Sequence, residues 1–287
     1  MGPIGVYDSG FGGLTVLREI RRVLPQVDTV YLGDAGRAPY GGRDVEVILD
    51  LAEQCVERLL AEGCRLVVVA CHTVSSVALR HLQGRFANDE RRILGVTIPA
   101  AEAAVVASAG HIGWLATPRT VASGTFAVEV AKLGPHRVTA VSARLLAPLV
   151  EEGWEGDEIA RFAIRRYLGP LREVDTLVLG CTHYPLLMPH FAAELPGVTV
   201  LDPAPVVADR LVEWIGRHPG FVAPGTGALR VLSTGAPADF AAHGARFLGE
   251  ALPEIEYVAE HAGRLEHRER DGAPQGQVVR RAATAAG

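Results

Sequence analysis

Apolar runs rich in Val, Ile and Leu alternate along the chain with segments whose apolar residues recur at helical spacing, and Gly, Pro and Ser punctuate the junctions. The runs read as buried strands and the periodic segments as amphipathic helices. Strand and helix in alternation predict an α/β fold, with a parallel sheet and helices on both faces. Residues 4–7 form a first strand, followed by the turn Asp8-Ser-Gly-Phe-Gly-Gly13 and a helix to about Leu24. Residues 29–32 form a second strand. A loop ending in Pro39-Tyr-Gly-Gly42 leads to a long amphipathic helix over 44–61. A strand ending near Cys71, a helix from about Val74 and a strand over 93–97 complete this stretch.

The pattern then restarts. Gly110-His-Ile-Gly-Trp-Leu-Ala-Thr-Pro-Arg-Thr120 can be laid on the segment from Ile4 to Thr15, each reading as strand, hydroxyl-bearing turn and helix. The offset from Ile4-Gly5 to Ile112-Gly113 nearly equals that from Cys71 to Cys181, which suggests tandem duplication of one α/β unit. After Asp202-Pro-Ala-Pro205 a helix runs to about Ile215. Residues 219–227 are a Pro/Gly-rich connection, 229–233 a strand, 236–248 a helix and 255–258 a last strand. The charged and small residues over 261–287 predict a disordered tail.

The two halves share one chemical signature. Arg65-Leu-Val-Val-Val-Ala-Cys71-His-Thr73 and Asp175-Thr-Leu-Val-Leu-Gly-Cys181-Thr-His183 each run from a buried strand through a small residue to a cysteine. Such cysteines stand at the carboxyl end of a strand, where open α/β sheets bind ligands. A helix N-terminus or a nearby cation favours the thiolate, which acts as nucleophile or general base. Either thiol alone also fits a small buried hydrophobe, and it is the matched pair that singles them out. Cys55 and Cys64 lie in or just after an amphipathic helix and read as structural.

Other residues gather at the same edge. Asp8-Ser9-Gly10 offers Gly-rich backbone to an anion, but it is not Gly-x-Gly-x-x-Gly and no acidic ribose partner follows. Ser9, Thr73, Thr117, Thr120 and Thr182 could give hydroxyls to a carboxylate, with helix N-capping as their competing role. His183 cannot drift far from Cys181, and could hold it as thiolate or shuttle a proton. His81, His111 and His136 read as solvated or loop residues. Zinc is not expected, because the usual ligand spacings are missing around Cys71-His72 and Cys181-Thr-His183.

Composition narrows the classes. The 287 residues, 48% hydrophobic and 21% charged, suffice for one large or two ordinary domains. A net charge of -5 favours neither nucleic acid nor an acidic membrane surface. No apolar run approaches the roughly 20 residues of a membrane span. The first residues enter a strand without a signal-peptide pattern, and the four cysteines make no disulfide framework, so a cytoplasmic location is expected. Lys132 is the only lysine. Pyridoxal phosphate needs a Schiff-base lysine, and Lys132 reads as exposed at a helix end, so no such cofactor is expected.

Together these segments resemble the cofactor-independent glutamate racemases of the aspartate/glutamate racemase superfamily. The matches are Asp8-Ser-Gly-Phe-Gly-Gly-Leu14, Tyr31-Leu-Gly-Asp34 with Pro39-Tyr-Gly41, Ala70-Cys71 with Thr73, and Gly180-Cys-Thr-His-Tyr-Pro-Leu-Leu187. Weaker ones are Ile112-Gly with Ala116-Thr117 and Thr120, Pro148-Leu-Val-Glu151 and Ser233-Thr-Gly235. The resemblance implies two pseudo-symmetric, flavodoxin-like domains with the active site between them. The expected division is 1–97 plus 207–260 for the first and 98–206 for the second.

By the same resemblance, Cys71 and Cys181 are the two bases. The first takes the α-proton of D-glutamate and the second that of L-glutamate. Asp8 would assist Cys71, and His183 would assist Cys181. Ser9, Tyr40, Gly41, Thr73 and Thr182 match substrate contacts, and Asp34 and Glu151 match acidic residues near the site. The implied role is to supply D-glutamate for peptidoglycan and the cell wall, with glutamate as ligand, a homodimer as assembly, no cofactor and no metal. One position departs from the pattern: the usual Ala-Cys-Asn-Thr is here Ala70-Cys71-His72-Thr73. His72 is bulkier than Asn and, if protonated, could stabilise the Cys71 thiolate or a substrate carboxylate. That keeps two alternatives open, a related racemase or isomerase of another small acid such as aspartate, and a weakly catalytic binding protein.

Overall fold

The strands β1 (Ile4–Asp8), β2 (Thr29–Gly33), β3 (Leu66–Val69) and β4 (Arg92–Gly95) run parallel in the order β2-β1-β3-β4. A second set, β5 (His111–Ala116), β6 (Arg137–Ser142), β7 (Thr176–Gly180) and β8 (Thr199–Leu201), repeats that order as β6-β5-β7-β8. The computed structural model describes residues 1–267. Returning chain adds β9 (Leu229–Ser233), β10 (Ile255–His261) and β11 (Arg264–His267) beside β2, making seven strands in the first sheet and four in the second. All pairings are parallel except the β10–β11 hairpin.

The central strands are apolar because helices cover both faces. Every residue of β1, β3 and β7 is buried. The matched glycines of the repeat have a packing cause. A Cβ on Gly5 would meet Cys64 and Leu59, and one on Gly113 would meet Leu171 and Leu177. Among the helices, Val45–Ala61 buries Ile48, Leu51, Ala52, Cys55, Val56 and Leu59, one apolar stripe of the kind its spacing predicts. The helices Leu14–Val23 and Pro203–Arg217 pack together between the two sheets.

Several boundaries differ from the sequence reading. The helix expected from Val74 starts at His72 and breaks at Ala78 into His72–Val77 and Leu79–Phe86. The strand expected over 93–97 ends at Gly95, and Thr97 opens the helix Thr97–Ala107. The tail expected from residue 261 starts as structure instead. Ala262 and Gly263, with φ of 49° and 77°, make a two-residue turn that sends β11 back along β10. Leu265 is buried on the first sheet between exposed Arg264 and Glu266, so its period-two pattern outweighs the local charge. The rest of that expected tail, 268–287, lies outside the described residues.

Candidate active site

The carboxyl ends of β1, β2 and β3 face those of β5, β6 and β7 across one cavity of about 290 Å³. Each of the six contributes residues: Ser9 and Gly10, the 38–42 loop, Cys71 to Thr73, Thr117, Arg144, and Cys181 to His183. Equivalent strand ends of a repeated unit thus converge on one space, which is how the thiol following β3 and the thiol following β7 come to line the same cavity.

Two glycines allow the halves to meet so closely. A Cβ on Gly12 would stand 2.2 Å from Thr182 Oγ1 and 2.6 Å from His183 Nδ1. One on Gly41 would stand 2.9 Å from Thr117 Cβ. Hydrogen bonds then tie the halves together: Thr15 Oγ1 donates to the Thr182 carbonyl (3.2 Å), Arg119 N to the Gly41 carbonyl (2.9 Å) and Arg119 Nε to the Arg43 carbonyl (2.7 Å).

The two sulfurs have unlike surroundings. Cys71 contacts Ser9 Oγ at 3.4 Å. Burial, and secondly the charge of Asp8, push its thiol up to about 12. The helix it precedes has only six residues, and its amide field is outweighed. Cys181 precedes a 3-10 turn, Tyr184–Leu187, in place of a helix. Its sulfur lies 3.7 Å from His183 Nδ1, and His183 Nε2 lies 2.9 Å from Glu151 Oε1. Burial alone would depress His183, but the bonds to Cys181 and Glu151 and their charges outweigh it and hold the imidazole up at about 10. A cation therefore stands beside Cys181 and none beside Cys71. The His183 ring also meets Phe247 edge-on, with centroids 5.1 Å apart.

Asp8 does not line the cavity but stands fully buried behind it. Its carboxylate accepts from Gly10 N (2.9 Å) and Thr182 Oγ1 (3.3 Å). Burial raises it above the ordinary carboxyl range, against the nearby His183 cation and these bonds. Thr120 is also one layer back. It forms a triangle of hydroxyls with Thr73 and Thr117, at 2.8 to 3.0 Å. Thr117 also caps the helix Pro118–Ala122, so the capping and lining roles fall on one residue. Asp34 lies behind Tyr40, which donates to it; Arg37 Nε bonds both its carboxylate oxygens, and Thr234 Oγ1 bonds one at 2.7 Å. Asp34 thereby pins the 38–42 loop rather than facing the cavity.

His72 lines the cavity with its ring packed edge-on to Trp114, which stacks on Phe126. Its Nδ1 is sealed without a partner, and burial pushes the ring down to about 3. The cationic role considered for it is therefore unavailable at neutral pH. His72 presents a neutral donor and acceptor.

Arg144 lines the cavity and was missed in the sequence, while Pro148, singled out there only as part of the match Pro148-Leu-Val-Glu151, lines it as well. Arg144 follows β6, an edge strand whose alternating, half-exposed Arg137–Ser142 lacks the apolar run of its neighbours. Lys132 is not among the cavity residues; it is half-exposed and paired with Glu129 at 2.7 Å.

Comparison with known proteins points to one family. Residues 12–211 match the family described as Asp/Glu/Hydantoin racemase. The chain is 39% identical to the glutamate racemase of Geobacter metallireducens over 267 residues, 90% of this chain and 97% of that one. It superposes on the glutamate racemase of Francisella tularensis solved with D-glutamate, with a TM-score of 0.84 and 28% identity, covering 90% and 97% of the two chains. With the Thermus thermophilus glutamate racemase in complex with β-chloro-D-alanine, the TM-score is 0.81 and the identity 36%, over 90% and 97%.

Proposed function

The chain belongs to the Asp/Glu/Hydantoin racemase family, and from that footing we propose that it interconverts L- and D-glutamate by proton transfer between two thiols. The observation that carries the reading is the pair of cysteines, presented from equivalent strand ends onto one cavity. With L-glutamate, the Cys181 thiolate takes the α-proton, and the Cys71 thiol gives its own proton to the opposite face of the carbanion. Cys181 is left as thiol and Cys71 as thiolate, and D-glutamate runs the sequence in reverse.

The neighbours fit these charge states. His183, kept protonated by its bonds to Cys181 and Glu151, stabilises the thiolate that attacks L-glutamate. Asp8, with its carboxyl raised by burial, can carry a proton when Cys71 is the thiolate, which spares the site two adjacent anions. The hydroxyls of Ser9, Thr73, Thr117 and Thr182, with the Tyr40-Gly41 backbone and Arg144, bind the two carboxylates of the substrate. Thr120 steadies the hydroxyl group from behind, and neutral His72 completes the wall beside Cys71. Closure of the cavity keeps water from the carbanion.

No pyridoxal phosphate takes part in this scheme. In the cell the reaction supplies D-glutamate to peptidoglycan, in the cytoplasm and from a homodimer. Purified protein, incubated in D2O with either enantiomer and no added cofactor, should lose optical activity while the product gains α-deuterium. Failure to exchange with either enantiomer, in well-folded protein, refutes the reading.

A further inference from the structure

Glu151 Oε1 lies 2.9 Å from His183 Nε2, and Glu151 ends a helix of only six residues, Leu146–Glu151. The last carbonyls of such a helix have no partner within it, and short ends fray. Here Gly153 N bonds the Val150 carbonyl at 3.1 Å, and a second donor to that carbonyl comes from the other half of the molecule. Arg246, on the helix Pro237–Leu248 between β9 and β10, donates from Nη2 to the Val150 carbonyl at 2.9 Å and to Glu155 Oε1 at 2.5 Å. A guanidinium at a helix carboxyl end is favourable in charge as well as in hydrogen bonding. Gly153, with φ of 78°, turns the chain past it, and a Cβ there would lie 3.6 Å from Arg246 Nη1.

The next residue, Phe247, is fully buried and meets the His183 ring. Two consecutive residues of one first-sheet helix therefore hold the two partners of the Glu151–His183 bond, one through backbone and one through the ring.

We propose that Arg246 is a positioning residue for proton transfer: by its bond to the Val150 carbonyl it keeps the Glu151 carboxylate on His183, beside Cys181. This rests on the racemase reading of the site. The groups facing His183 are Cys181, Glu151, the Asp8 carboxylate and the Phe247 ring, with Arg144 on the same cavity wall. Arg246 bonds Val150 and Glu155 and none of these, so it acts on His183 only through the Glu151 segment.

The test is steady-state racemization from neutral to alkaline pH for wild type, Arg246→Gln, Arg246→Lys, Glu151→Gln and the double variant Arg246→Gln/Glu151→Gln. Arg210→Gln, which removes surface ion pairs to Glu102 and Glu213, serves as control and should match wild type. Arg246→Gln should lower kcat/KM by about tenfold, since loose positioning is costly, and should move the alkaline limb to lower pH. Arg246→Lys should recover part of both, because an ammonium can also cap Val150. Adding Arg246→Gln to Glu151→Gln should cost nothing further, because Arg246 acts through Glu151.

An alkaline limb unmoved in Arg246→Gln, or losses that multiply in the double variant, overturns the proposal. Should Arg246→Gln fold poorly, Glu155→Gln, which frees the guanidinium from its charge partner, should move the limb the same way by less. An unmoved limb there overturns the proposal equally. Wild type inactive on both enantiomers would instead refute the racemase reading itself.

Discussion

The two halves approach closely at Gly12, and one methyl group there should lower both stability and catalysis. The backbone of Gly12 is not in the left-handed region, so Gly12→Ala acts through contact alone. The new Cβ would stand 2.2 Å from Thr182 Oγ1 and 2.6 Å from His183 Nδ1, where ordinary contacts start at 3.4 Å. The hydroxyl must therefore give about 1.2 Å and the imidazole about 0.8 Å, in an interior without slack. Thr182 would turn off Asp8, and His183 would shift along the 3.7 Å contact that holds it to Cys181.

Overpacking of this size costs about 1–3 kcal/mol of stability, and displacing a catalytic group by about 1 Å costs about 10²-fold in rate. We expect Gly12→Ala to fold, with a lower Tm and kcat/KM reduced about 100-fold, as followed by circular dichroism of glutamate. Activity within threefold of wild type, at an unchanged Tm, would refute the packing of the Asp8–Gly13 turn on the Cys181 segment.

Four further outcomes follow from named groups. Cys71→Ser and Cys181→Ser should each lower racemization by about 10²–10⁴-fold, the usual worth of a general base, and full activity in either would exclude the two-thiol mechanism. His72 is held neutral down to about pH 3, whereas the unfolded chain binds its proton below about 6.5, so folding loses stability as pH falls through that window. At about pH 5 this amounts to about 2 kcal/mol, and urea unfolding of His72→Asn should show that much less acid sensitivity than wild type. His183 has the opposite sign: its contribution is complete below about 6.5 and is lost as pH rises through about 10, so Glu151→Gln should show less alkaline destabilisation. Gly84→Ala, at a helix site with open space around it, should raise stability by about 0.5–1 kcal/mol and leave kcat unchanged.

What the sequence made legible follows from what is buried on both sides. β1, β3, β7 and β9 stand out as short apolar runs because helices cover them, and the first residue of each was readable within a residue. The edge strands β6 and β8 are half-exposed and lack that signal, so Arg144 had no strand end to be placed on. The β10–β11 hairpin was hidden by an Ala-Gly turn that lacks the Asn or Asp usual at such positions. At the site, Cys71 and Cys181 were legible because each ends a matching apolar run, and His183 because it stands two residues from Cys181. The layer that Asp8, Asp34 and Thr120 occupy behind the cavity was not, because spacing gives the strand end but not the depth of a side chain. Arg246 and Phe247 had no local signal at all, since what they touch is nearly 100 residues earlier in the chain or on the other sheet.

The duplicated fold does more than bring two thiols together. Equivalent strand ends would by themselves make a symmetric site, yet the groups added around each sulfur are opposite in kind. Cys181 has a cation fixed by Glu151, whereas Cys71 has a buried carboxyl and a neutral imidazole. A racemase tolerates such asymmetry because its two ligands are mirror images of equal free energy. The equilibrium constant is therefore one, and kcat/KM must be equal for the two enantiomers however unlike the two arms are. What the asymmetry can change is which protonation state the empty enzyme rests in, and so how kcat and KM divide in each direction. In the proposed mechanism the state that accepts L-glutamate has its thiolate at Cys181, the sulfur that lies 3.7 Å from His183 Nδ1. The proposed mechanism thus leaves the groups around each sulfur free to differ, while the shared strand order keeps both sulfurs on one cavity.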